Sequence, residues 1–151
     1  YLSEAWIRRF LVAPSHPKHF GNTKLKEDDE GNGMPATEVE ADELKALVAF
    51  VASRGGADGL DAAQVAAGAT FFEDGDCSSC HNLDQSEGQG PDLTDYGSAK
   101  WLGRMLQNPA HELMYGELGD GMPAFDHLSE DETDYLVGWL LHLKQETQIR
   151  E

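Results

Sequence analysis

An almost all-helical fold is predicted by three features of this 151-residue chain. Alanine (16) and leucine (17) far outnumber valine (six) and isoleucine (two), so helix formers abound while β-branched strand formers are scarce. Two capping-box patterns, at Thr37/Glu40 and Ser129/Glu132, precede apolar residues at helical spacing. The same helix–loop–helix pattern also occurs twice along the chain, which argues for a repeated helical unit.

The first helix runs from a Ser3 cap through Trp6, Ile7, Phe10 and Leu11 and stops before Pro14, whose ring cannot continue it. The second opens at Thr37, places Leu44, Leu47, Val48 and Val51 on one face, and ends at Gly55-Gly56. Gly55 to Gly59 reads as a boundary. A third helix runs from Asp61 through Val65, Gly68, Phe71 and Phe72 up to Asp74-Gly75-Asp76. A fourth covers Ser98 to Gln107 and stops at Asn108-Pro109, and the last starts at Ser129 and buries Leu136, Trp139, Leu140 and Leu143. The loops 81–97 and 108–128 are long for a compact domain, and loops of that length are usually functional or wrapped around something.

In the repeat, Trp6-Ile7, Phe10-Leu11, Pro14 and His16 align with Trp101-Leu102, Met105-Leu106, Pro109 and His111. Phe20-Gly21 aligns with Tyr115-Gly116, and Gly33-Met34-Pro35-Ala36 with Gly121-Met122-Pro123-Ala124. Glu43, Leu47 and Phe50 then match Glu132, Leu136 and Trp139. A shared tetrad in register with both flanks points to duplication rather than to chance likeness of two amphipathic helix pairs. The expected division is a unit at 1–56, the rear half of a module without an attachment motif, followed by a complete domain at 57–151. The chain opens mid-pattern at Tyr1, with no charged and apolar leader, which reads as a processed or truncated start.

The formal charge of −17 makes nucleic acid and anionic lipid surfaces poor partners. Residues 1–56 hold seven basic and nine acidic side chains, a net of −2, whereas 57–151 hold four and nineteen, a net of −15. The acidity either serves solubility or steers a partner. No apolar run approaches the roughly 18 residues of a membrane span.

The only cysteines stand in Cys77-Ser78-Ser79-Cys80-His81, the spacing of covalent c-type haem attachment. Each thiol adds to one vinyl group, and the next residue brings an imidazole under the iron. A redox dithiol would want a strand-rich setting and has no use for His81, zinc would need a second ligand pair, and a disulfide across two residues contributes little loop-closure entropy. A carbonyl from Gly90-Pro91-Asp92-Leu93 is the candidate to hold the other nitrogen of His81. Met122, among glycines and before Pro123, is the leading candidate for the sixth iron position. Met114 is the next choice, and Met105 reads as core. His111, His127 and His142 could ligate iron but read more simply as surface residues or caps.

These motifs resemble the class I cytochromes c over about residues 58–145: the helix with Gly68 and Phe72, Cys77 to His81, Gly90-Pro91-Asp92-Leu93, Met122-Pro123, and the final helix with Tyr135 and Trp139. The resemblance implies the class I cytochrome c fold, one haem c, His81 and Met122 as axial ligands and the Pro91 carbonyl as the His81 partner. It further implies a propionate contact from Tyr96 or Trp101, and a crossing of the first and last helices of the domain at Gly68, Phe72 and Trp139. Glu73-Asp74-Gly75-Asp76 departs from the family pattern and shifts Phe72 relative to the cysteines. More narrowly, the two copies are similar to the c-type domains that accompany or are fused to the cytochrome b of quinol-oxidising bc complexes. In that comparison Met34 is either a packing residue or the ligand of a haem bound by a segment upstream.

The expected function is electron transfer by a six-coordinate haem in a periplasmic or equivalent space, with redox protein partners that present a basic docking face. The alternative is a five-coordinate haem sensor or peroxidase-like enzyme with an open distal site. No His-Arg pair in the Met122 loop supplies the acid–base group that such a site needs.

Overall fold

The computed structural model describes residues 2–19, 21, 23, 33–116 and 122–150, and among them it contains six helices and no strand. The predicted all-helical fold is what these elements build. Phe20 and the Gly119-Asp120-Gly121 stretch lie outside the described residues.

Helix α1 (Glu4–Val12) starts where Ser3 Oγ accepts the Trp6 N–H at 3.2 Å, and it buries Ile7, Phe10 and Leu11. Helix α2 (Ala41–Arg54) begins later than the Thr37 start expected from sequence, at a Glu40 cap whose N–H donates to the Glu43 carboxylate at 3.1 Å. The reason is tertiary: the Thr37 N–H donates to the Leu11 carbonyl at 2.8 Å, which holds residue 37 to the end of α1. Residues Ala46 to Ala52 are buried without interruption, so α2 is enclosed on more than the single predicted stripe. α1 packs on one side of it and α3 (Ala62–Asp74) on another.

Among the described residues, α2 and α3 form the most extensive helix–helix contact. Gly68 of α3 lies on the Ala46 carbonyl, and a Cβ at Gly68 would also come within 2.7 Å of Phe50 Cβ. Phe72 is buried against Phe50 one turn further along. Small residues at the crossing let the backbones approach, and the two phenyl rings fill the space beside it. The expected crossing of Gly68 and Phe72 with Trp139 does not form: Phe50, the α2 counterpart of Trp139 in the repeat, takes that place. At the α6 position that corresponds to Ala46 stands Tyr135, too large for the same approach.

α4 (Cys77–Cys80) is a single turn directly after α3, which the sequence reading did not resolve as a helix. α5 (Ala99–Gln107) repeats α1: Ser98 Oγ accepts the Trp101 N–H at 3.2 Å, and Trp101, Leu102 and Met105 are buried. α6 (Glu130–Arg150) opens at the predicted box, where the Ser129 N–H and hydroxyl donate to Glu132 at 2.9 and 2.7 Å. Its buried side is Thr133, Val137 and Lys144, whereas Leu136 is 37% and Trp139 57% exposed. The expected stripe is therefore largely exposed, because among the described residues α6 packs chiefly on α5.

The two helix pairs share their local hydrogen bonds. His16 and His111 each accept a backbone N–H two residues on at 3.1 Å, and Gly21 and Gly116 donate back to the carbonyls of those histidines. Thr37 donates to Leu11 and Phe125 to Leu106, both at 2.8 Å. Equivalent positions also meet: a Cβ at Gly97 would lie 3.2 Å from its counterpart Leu2, and one at Gly55 would lie 3.1 Å from Lys144 Nζ. Aligned positions of the two pairs thus lie side by side, and α3 packs on the α2 of the first pair.

Candidate haem-attachment site

α3 ends at Asp74, where the Gly75 N–H donates to the Phe71 carbonyl, and the chain turns straight into α4. Cys77 and Cys80 are both unbridged and half-buried on that turn. Ser79 Oγ donates to the Asp76 carbonyl and Ser78 Oγ to the Glu73 carbonyl, which pin the turn to the end of α3. Burial raises the pKa of Cys77, with smaller contributions from Asp76 and Cys80.

His81 leaves the turn in extended conformation, and its Nδ1 lies 2.9 Å from the Pro91 carbonyl, the partner that the family resemblance implies. Burial lowers the pKa of the ring and the Pro91 bond opposes it only in part, so the imidazole is neutral near pH 7. With Nδ1 as the donor to that carbonyl, Nε2 carries the lone pair and is the atom free to bind a metal. Gly90 underlies the ring, since a Cβ there would come within 2.6 Å of His81 Cε1.

The loop that presents Pro91 is fastened by residues the sequence reading did not single out for that role. Buried Asp92 accepts the Gln85 N–H at 2.9 Å and the Thr94 N–H at 3.0 Å. Its own N–H donates to the Leu113 carbonyl at 3.1 Å, and the Leu93 N–H to Asn82 at 2.8 Å. Arg54, at the end of α2, donates from Nη2 to the Thr94 carbonyl at 2.8 Å and from Nε to Leu93 at 3.4 Å. Asp92 was visible inside the Gly-Pro-Asp-Leu motif, but Arg54 carries no sequence signal because its partners lie some 40 residues away.

Residues 63–140, just over half of the chain, match the family model described as cytochrome c oxidase, cbb3-type, subunit III. The chain belongs to this family of c-type cytochrome domains. Searches of the curated proteins and of the solved structures gave no match.

For a c-type cytochrome domain the donor set fits the covalent haem. Two free thiols stand on one turn, the adjoining imidazole has one nitrogen committed and one free, and a buried donor is left open nearby in the chain. That donor is Trp101 Nε1, on a fully buried side chain packed edge-on to Tyr96 at 4.9 Å, with no hydrogen-bond partner among the described residues. Arg104 Nε, three residues on, is likewise unbonded there, although its Nη2 lies 3.5 Å from Asp95. Leu93 and Tyr96 are buried beside this segment. Met105 and Met114 are core residues at 7% and 2% exposure, while Met122 is 36% exposed ahead of α6. His111 Nδ1 is occupied by the Leu113 N–H, as expected of a capping residue.

Proposed function

We propose that this protein is a single-haem electron carrier, with the haem joined to Cys77 and Cys80 and its iron held between His81 Nε2 and a methionine sulfur. The observation that carries the reading is the 2.9 Å approach of His81 Nδ1 to the Pro91 carbonyl directly after the cysteine turn. That bond orients the imidazole and raises its basicity as a ligand. Haem c, when bound, supplies reversible one-electron exchange. Leu93 and Tyr96 form part of the apolar surround, and Trp101 Nε1 is the donor offered to a propionate. Met34 and Met122, each in a Gly-Met-Pro loop, are the candidates for that methionine, and chain order alone favours Met122.

The surface around the attachment turn favours a protein partner of opposite charge. Glu73, Asp74, Asp76, Asp84 and Glu87 are all exposed within a few residues of the cysteines. A basic docking face would be drawn to them by long-range attraction. The duplicated helix pairs support a place in a respiratory complex of the cytochrome bc type, or as its carrier, with 1–56 as a partial copy of the module at 57–151. Haem attachment through this motif would support a location in the periplasm or an equivalent space. No helix among the described residues is long and apolar enough to cross a membrane.

The test is the absorption spectrum of the purified holoprotein, oxidised and reduced, with and without CO. A low-spin spectrum with a weak far-red sulfur-to-iron band and no CO response is the expected result. A high-spin spectrum that shifts with CO would show an open iron site and replace electron transfer with ligand binding or peroxide chemistry.

A further inference from the structure

Two Gly-Met-Pro loops are available to complete the site, and chain order and packing name different ones. The family match is a linear segment that contains Met122 and not Met34. The packing of the helices favours Met34. α3 carries the attachment turn at its end, and it crosses α2 at Gly68, Ala46 and Phe50. Phe50 follows Met34 by 16 residues as Trp139 follows Met122 by 17, so the methionine loop in register with this crossing is the first one.

Three further observations point the same way. The loop bearing the Pro91 carbonyl is tied by Arg54 to α2, not to α6. Met34 is half-buried against the core that contains Phe50, Phe72 and Leu93. Met122 is 36% exposed and precedes a helix whose Tyr135 and Trp139 are 80% and 57% exposed.

We propose that Met34, rather than Met122, faces His81 across the haem, so that one site is assembled from the attachment turn of the second unit and the methionine loop of the first. The inference rests on His/Met ligation. It makes residues 1–56 an integral half of the cofactor site rather than an appendage.

The experiment is the far-red sulfur-to-iron band of the ferric full-chain holoprotein and its Met34→Ala, Met122→Ala and Met34→His variants. Met34→Ala should abolish the band and Met122→Ala should keep it at wild-type intensity. Met34→His should give a low-spin, six-coordinate spectrum with a lower potential while the helical circular dichroism and urea midpoint stay at wild-type values, which separates it from misligation by another histidine in an unfolded chain. Loss of the band in Met122→Ala alone, in both alanine variants or in neither would overturn the assignment. A wild-type protein without the band would overturn it too, and would in addition remove the His/Met reading on which it rests.

Discussion

The Phe72 ring of α3 packs on the Phe50 ring of α2, with centroids 5.4 Å apart and planes tilted by 48°. The repeat pairs Phe50 with Trp139, so α2 presents to α3 the aromatic that α6 presents to solvent. Arg54, one turn beyond Phe50, places its guanidinium 5.8 Å from the same ring and reaches on to the Leu93 and Thr94 carbonyls. One helix therefore supports both the base of the attachment helix and the loop that orients His81.

Gly68 and Gly138, each inside a helix, should respond oppositely to alanine. At Gly68 the added methyl meets the Ala46 carbonyl and Phe50 Cβ, whereas nothing lies within 4 Å of a Cβ at Gly138. Overpacking costs about 1–3 kcal/mol, against a helix-propensity gain of about 1 kcal/mol. Gly68→Ala should lower stability by about 1–2 kcal/mol in urea melts, and Gly138→Ala should raise it by up to about 1 kcal/mol. A loss at Gly138 equal to that at Gly68 would mean that a helix covers α6 after all.

Trp101→Phe removes the buried Nε1 donor together with part of the ring, and the cavity cost is shared by apo- and holoprotein, so the difference between the two reports the hydrogen bond. Without haem the donor has no partner among the described residues, so the apoprotein should lose only the packing of the deleted ring atoms. With haem, a lost charge-assisted bond should cost about 1–3 kcal/mol and shift the midpoint potential. Equal melting shifts in apo- and holoprotein would show that Nε1 does not reach a propionate.

Lys144 carries a pH signature. Its burial at 9% exposure lowers the pKa from the ordinary 10.5, so the charged form is disfavoured in the folded state. In the window between the folded value and 10.5 the unfolded chain binds more protons, and stability rises with pH. Below that window the desolvation penalty is present in full. Lys144→Met should therefore be more stable than wild type at neutral pH, with the difference shrinking as pH climbs toward 10.5. Melting curves across pH 7 to 10.5 that stay parallel would show that the ammonium is well solvated.

Electron exchange with a basic redox protein should slow as ionic strength rises, since the acids around the attachment turn are exposed and screened by salt. Stopped-flow rates between about 10 and 300 mM salt, spanning Debye lengths from roughly 30 Å down to well under 10 Å, are the measurement. A rate that is flat or rises with salt would remove acidic steering from the docking mechanism.

What the sequence by itself determined is local chemistry. Ser3, Asp61, Ser98 and Ser129 each mark a helix start because a short polar side chain next to an apolar periodicity satisfies the free N–H groups of the first turn. The spacing of Cys77, Cys80 and His81 announced an attachment turn, and the Gly-Pro-Asp-Leu motif announced the carbonyl beside it. Non-local bonds were not legible in this way: the start of α2 at Glu40 depends on Leu11, and the anchoring of the Pro91 loop depends on Arg54. The largest decision left to tertiary structure was the partner of α3. α2 and α6 carry the same pattern of glutamate, leucine and aromatic, so periodicity gives no ground for choosing between them. The packing decides it: the Gly68 backbone meets the Ala46 carbonyl and Phe50 Cβ of α2, whereas the α6 counterparts Tyr135 and Trp139 are exposed.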